Sequence, residues 1–274
     1  MEQNTTTKIV MLGTGSGGVL QLYNTCFVIQ KDKKVFLVDT GGSIEIVQRL
    51  KQINIPLEAV KDIFVSHAHT DHILGLIWLL KKLGSLVKWG LIKEKINVYG
   101  NDTVLEAIKG VSQYILSPST IETVNQVINY ICLSDNENIQ INGIEYQFFD
   151  IQAKGTKQYG FECLLEGNRF IFLGDETLNP KLYNRVRNAD YVAHEAYCLN
   201  QEEERFHAYE KNHSTVLSAS QVMENLQVKN LILYHTEESH GASRKELFQE
   251  EAKTVFSGNV IVPDDLEEIK ILKK

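Results

Sequence analysis

Short apolar runs recur along the chain, each closed by a glycine, an asparagine or a polar turn: KIVMLG, TCFVIQ, KVFLVDTGG, DIFVSH, INVYG, IEYQFFDI, GFECLLEG, RFIFLGD, YVAHEA, NLILYH and NVIVPDD. They are rich in Val, Ile and Phe, whose branched or aromatic side chains suit a pleated surface, and their cores are short enough for strands. Between several of them apolar positions return at helical spacing, over Ser43–Ile53, Ile73–Leu83, Asp102–Leu116, Ser214–Leu226 and Arg244–Val255. The early strands follow one another through turns such as KDKK and EGN, whereas the later ones alternate with helices. That mixture predicts two β-sheets with helices packed outside, not a purely parallel doubly wound sheet. No linker, repeat or low-complexity stretch interrupts the pattern, so one domain over residues 1–274 is expected.

Composition narrows the function classes. A chain of 274 residues buries a sizeable core without staples, so a metal found here is expected to be functional, not structural. The net charge is −7, with no run of basic residues, which argues against tracking of a phosphate backbone. Cys26, Cys132, Cys163 and Cys198 are scattered without a CxxC pair and read as reduced core residues, as expected in the cytoplasm. The N-terminal MEQNTTTKIVMLG lacks a basic, then apolar, leader pattern, and no stretch is apolar for long enough to span a membrane. A soluble cytoplasmic protein is expected.

Gly13-Thr14-Gly15-Ser16-Gly17-Gly18 fits GxGxxG after a strand, with the acid Asp39 further on, which is the outline of a dinucleotide fingerprint. That motif needs a helix to begin at its third glycine, and the following VLQLYNTCFVIQKDKKVFLVD reads instead as loop, strand, charged turn and strand. The glycines are expected to form a tight turn at the edge of a cleft, with Asp39 at the same edge.

Ser66-His67-Ala68-His69-Thr70-Asp71-His72 carries the chemistry. If the strand DIFVS continues extended, His67 and His69 point the same way, and Asp71 and His72 follow at the turn into a helix starting near Ile73. One short stretch then feeds two metal positions, and imidazole with carboxylate suits Zn²⁺. RFIFLGDE ends a further strand on Asp175, and NLILYH another on His235. Each is ordinary alone, but together they place candidate ligands at the ends of three strands, where a shared cleft is expected.

With these motifs in hand, the chain resembles the metallo-β-lactamase fold superfamily, and within it the ribonuclease Z-like hydrolases. The resemblance rests on LGTGSGG, VDTGG, SHAHTDHILGL, FLGDE, HEA, HST and ILYH, and it spans nearly the whole chain. It implies a four-layer αββα sandwich (α/β, α+β) with a metal pair at the sheet edges. By matching motifs it implies that His67 and His69 bind one metal, that Asp71 and His72 bind the other, that Asp175 bridges them and that His235 completes the second site. One or two zinc ions are expected, with Mn²⁺ as the alternative.

Two departures qualify the likeness. The family's further histidine for the first metal has no counterpart in FFDIQAKGTKQYGF, where Gln152 stands about where it is expected, so one metal or two remains open at this level. The long tRNA-gripping arm of ribonuclease Z is also missing, since only 22 residues separate Gln152 from Asp175. That argues against tRNA as a partner and for a small or short phosphodiester.

A metal pair would clamp such a substrate and lower the pKa of water. Asp71 would orient the nucleophile, and His213 of NHST, held by Glu195 of HEA, would protonate the leaving oxygen. The plainer readings are that His213 opens a helix and that Glu195 is a buried acceptor. For His194 a structural role is expected, for His207 a solvated loop, and for His240 and Arg244 a capping or surface role ahead of substrate contact. The apolar stretch LIWLLKKLGSLVKWGLI, read as a core helix followed by a strand or loop, is offered either to a homodimer interface or to a substrate pocket. Rival functions are hydrolysis of a lactone, ester or thioester on the same fold, and a catalytically weak metal- or ligand-sensing protein.

Overall fold

A computed structural model describes residues 7–274, so the expectation about a leader over Met1–Thr6 lies outside the described residues. The first sheet takes β1 (Lys8–Gly13), β2 (Cys26–Lys31), β3 (Lys34–Val38), β4 (Val60–Phe64), β5 (Ile96–Gly100) and β6 (Ile128–Cys132). The second takes β7 (Glu137–Ile141), β8 (Ile144–Asp150), β9 (Tyr159–Leu165), β10 (Asn168–Phe172), β11 (Tyr191–Glu195), β12 (Asn230–Tyr234) and β13 (Asn259–Ile261). The chain then returns to the first sheet with β14 (Glu268–Lys270), which pairs with β1, so the orders are β14-β1-β2-β3-β4-β5-β6 and β13-β12-β11-β10-β9-β8-β7. Each sheet begins as antiparallel hairpins and continues as parallel strands, β3 to β6 in one and β10 to β13 in the other.

The helices are α1 (Glu45–Gln52), α2 (Thr70–Lys88), α3 (Asp102–Ile115), α4 (Pro118–Val127), α5 (Tyr183–Val186), α6 (Glu203–Phe206), α7 (Val216–Asn225) and α8 (Arg244–Lys253). They form the outer layers of an αββα sandwich. Strand periodicity explains the layering, because alternate side chains point to opposite faces. Val35 and Leu37 of β3 join the core under α1 to α4, while Phe36 and Val38 point between the sheets. Strands buried on both faces in this way read as unbroken apolar runs, which is how they looked in sequence. The layer between the sheets is aromatic, with Phe36 and Tyr146 at 4.7 Å, Phe64 and Phe148 at 5.0 Å, and Phe27 and Phe172 at 5.3 Å between ring centroids. Behind the second sheet, Val216, Ala219 and Met223 of α7 and Phe248 and Ala252 of α8 close a third core.

All eleven expected strands and five expected helices are present, with shifted ends. The helix expected near Ile73 begins at Thr70, so Asp71 and His72 stand in its first turn, and it runs on to Lys88 through the stretch expected to end in a strand or loop. Three strands, β6, β7 and β14, and the helices α4, α5 and α6 were not anticipated, and Cys132, expected in the core, is exposed. Among the described residues no helix is long and apolar enough to cross a membrane.

Candidate metal centre

The carboxyl ends of the parallel strands of both sheets converge, which is where open α/β sheets place their ligands. From the first sheet, the residues after β3 supply Asp39 and those after β4 supply Ser66 to His72; from the second, Asp175 follows β10, Glu195 ends β11 and His235 follows β12.

Two donor groups result, one from Asp71, His72, Asp175 and His235 and one from His67, His69 and Asp175, so Asp175 belongs to both. In the first, His72 Nε2 lies 3.3 Å from Asp71 Oδ2 and 3.4 Å from Asp175 Oδ2, and His235 Nε2 lies 3.4 and 3.5 Å from the same atoms. The edge of a tetrahedron of ligands about 2.1 Å from a zinc ion is about 3.4 Å, so this spacing is that of donors around an ion. In the second, His67 Nε2 is 3.3 Å from Asp175 Oδ2 and 2.9 Å from His69 Nδ1. His67, His72, Asp175 and His235 are buried, Asp71 nearly so, and His69 is exposed.

Buried His72 Nε2 and Asp175 Oδ1 have no hydrogen-bond partner within the protein, a costly arrangement unless something else binds them. Orphaned, converging nitrogen and oxygen donors fit a borderline divalent cation such as Zn²⁺. The charge balance agrees. Burial alone would push the His72 pKa down, yet Asp71 and Asp39 beside it hold it well above its ordinary value. Burial likewise opposes ionisation of Asp175, but His67, His72 and His235 bring its carboxyl well below the usual range. Asp71 is depressed by His72 and His235 against the same opposition.

A second layer of hydrogen bonds fixes the imidazoles. His72 Nδ1 lies 2.9 Å from Asp39 Oδ2, and Asp39 also accepts from the Ser66 amide at 2.8 Å, while Ser66 Oγ sits 3.0 Å from His67 Nδ1. Such partners select the tautomer that leaves the other nitrogen free for a metal. Thr40 anchors the same turn, its amide and hydroxyl both donating to the His72 carbonyl. The GxGxxG glycines form a turn, as expected, with no helix after them. Gly15 bridges to Asn24 and Thr236, and a Cβ on Gly17 would come within 3.1 Å of the Asp71 carboxylate.

The loop between β8 and β9 alters one expectation. Gln152 takes a left-handed backbone (φ 59°), its amide donates to Asp150 and its carbonyl accepts from Asn179, and it lines a cavity with Asp150, Lys181 and Arg185. Thr156 is the loop residue bonded to His69, Oγ1 lying 3.1 Å from His69 Nε2, because Glu176 accepts from the amides of Lys154 and Gly155 and folds the loop inward. Thr156 and Glu176 were missed in the sequence; the acid directly after Asp175 in FLGDE was the available signal.

His213 stands at the rim. Its Nδ1 is 3.5 Å from Glu195 Oε2, its ring stacks on Tyr197 at 4.9 Å and lies 5.1 Å from the His235 ring. Burial opposes a charge on His213, but the Glu195 carboxylate outweighs it and raises the pKa above the ordinary value. Glu195 Oε1 meanwhile accepts from the Ser214 amide at 2.6 Å. The helix after this segment is capped by Thr215, so His213 precedes the cap and does not open the helix.

The remaining histidines and Arg244 lie apart from the donor groups. His194 is buried against the Glu195 carbonyl, and exposed His207 ends α6 with a left-handed backbone. His240 pairs with Glu202. Arg244, expected at the surface, is buried, bonded to Thr236, the Pro263 carbonyl and Asp264.

Known proteins share this fold. Ribonuclease Z of Bacillus subtilis (strain 168) is 25% identical over 311 residues, which cover 95% of this chain and 98% of that one. Among solved structures, the metallo-β-lactamase fold protein YhfI from Bacillus subtilis superposes with a TM-score of 0.78 at 20% identity, covering 97% of this chain and 99% of the other. A diphosphatase of the PhnP family superposes with a TM-score of 0.71 at 18% identity, covering 97% of each chain. The fold is therefore that of the metallo-β-lactamases. The model of one family matches residues 7–254, and by that match the chain belongs to the family described as anti-Pycsar protein Apyc1.

Proposed function

We propose that the chain is a metal-dependent phosphodiesterase acting on a small or short phosphodiester, with zinc as its metal. The observation that carries this reading is the donor spacing of 3.3 to 3.5 Å among Asp71, His72, Asp175 and His235, joined through Asp175 to His67 and His69. Asp71, His72 and His235 would hold one ion and His67 and His69 the other, with Asp175 available to both. Bound there, the ions supply positive charge to the phosphate oxygens and lower the pKa of water. Asp71 also orients the attacking water. His213, whose protonated form the Glu195 carboxylate favours, donates its proton to the departing oxygen, and Tyr197 stacked on its ring limits how it can turn. The loop from β8 to β9 covers only residues 151–158 and β9 to β10 is a tight hairpin, which leaves no arm for a tRNA there.

The protein loaded with Zn²⁺ or Mn²⁺ is expected to hydrolyse bis(p-nitrophenyl) phosphate, and Asp71→Ala to abolish that activity. Retained turnover in Asp71→Ala, followed by p-nitrophenolate absorbance, would remove Asp71 from its role. Activity on lactones or thioesters but on no phosphodiester would move the assignment to the carbonyl hydrolases.

A further inference from the structure

A third convergence of donors lies outside the centre described above. Glu202, at the end of the turn before α6, Glu237, in the loop after β12, and His240, further along that loop, bring one ligand atom each to within 4.8 Å of one another, and they share no residue with the other two groups. His240 Nε2 lies 2.8 Å from Glu202 Oε2 and 3.9 Å from Glu237 Oε1. The last of these atoms carries the argument. Glu237 is 5% exposed, its Oε2 accepts from the Ser239 amide at 2.6 Å, and its Oε1, facing His240, has no hydrogen-bond partner. A buried carboxylate oxygen left unpaired is destabilising, and here it faces an imidazole with a second carboxylate alongside.

We propose that Glu202, Glu237 and His240 form an additional binding site for a zinc-class divalent cation. One imidazole nitrogen with two carboxylate oxygens suits Zn²⁺ and its neighbours, whereas Ca²⁺ and Mg²⁺ prefer oxygen alone. The half-buried Glu202 and His240 leave room for water as a further ligand. The position gives the ion a purpose. The Glu237 amide donates to the Tyr197 carbonyl at 2.7 Å, and Tyr197 stacks on His213, while the loop itself begins at His235. Neighbouring Glu238 accepts from the amides of Leu20, Gln21 and Leu22, beside the glycine turn. An ion at Glu237 would thus clamp the segment carrying Glu202 to a loop that already ties down the opposite rim.

The test counts metal. The full chain, stripped with a chelator, saturated with Zn²⁺ and freed of excess by gel filtration, is expected to retain one equivalent more than His240→Ala or Glu237→Gln. Asp175→Asn, which loosens the other centre, is expected to keep that equivalent and to lose it only when combined with His240→Ala. The result therefore stands apart from whether the HAHTDH centre binds metal or turns anything over. Circular dichroism checks that the variants fold, and Glu202→Gln, which keeps the size and shape of the side chain, serves if His240→Ala does not. Equal zinc in folded wild type, His240→Ala and Glu237→Gln, or an Asp175→Asn protein that retains no more zinc than Asp175→Asn combined with His240→Ala, overturns the proposal.

Discussion

Asp39 and His235 both hold left-handed backbones, with φ of 56° and 58°, a conformation that side-chain-bearing residues adopt at a cost. The surroundings enforce it: the Asp39 amide donates to the Phe64 carbonyl while its carboxylate spans the Ser66 amide and His72 Nδ1. Asparagine tolerates the left-handed region, so Asp39→Asn keeps the backbone and removes only the charge behind His72. It is expected to weaken metal binding by roughly 10–100-fold, read by competition with a chromophoric chelator. At this scale the centre was partly legible. The histidines and acids of HAHTDH, FLGDE and ILYH announce themselves by type and spacing, because metal chemistry restricts both. Thr156 and Tyr197 do not, since a hydroxyl beside His69 and a ring under His213 are products of loop closure and leave no local pattern.

The helix α2 carries two of the candidate ligands in its first turn, and its packing decides where they stand. A Cβ on Gly75 would sit 1.9 Å from the Thr40 carbonyl oxygen, so the helix can approach the loop after β3 this closely only with glycine there. Gly75→Ala is expected to destabilise the fold by about 1–3 kcal/mol, as overpacked sites do, and to lower metal affinity by shifting Asp71 and His72 together. Denaturant unfolding and a metal titration on the same variant check both parts. Elements with strong internal periodicity, such as α2 or β3, were readable because both faces of their positions are apolar or cleanly divided. The edge strand β7 (ENIQI) is half exposed and β14 (EIK) is three residues long, so neither carries much pattern. The helix α4 did carry a start signal, Ser117 accepting from the Thr120 amide with Pro118 in the first turn.

Across the whole molecule, ion pairs hold strand ends that the aromatic layer does not reach. Asp190, between α5 and β11, lies 2.8 Å from Lys229 and 2.8 Å from Lys274 and accepts from the Arg169 amide. Burial opposes its ionisation, but the two lysines and the amide hold its carboxyl below the usual carboxylate range. A depressed folded pKa stabilises above the unfolded value of about 3.9 and loses that effect as the pH falls through the folded one. Asp190→Asn is therefore expected to lower Tm at pH 7 by about 2–4 °C, the equivalent of about 1 kcal/mol, with the gap to wild type closing below about pH 4. Thermal scans across that range read it. The layer order followed from the run of strands and helices, but which sheet each strand joins did not, because pairing such as β14 with β1 links residues 260 apart in sequence.

The donors are divided between the sheets: His67, His69, Asp71 and His72 precede β5, while Asp175 and His235 come after the chain has crossed to β7. A nascent or severed chain ending between β6 and β7 therefore owns the histidine-rich stretch and no place to hold an ion. On the function proposed above, loading would become a checkpoint on assembly, and an unfinished molecule would stay chemically silent.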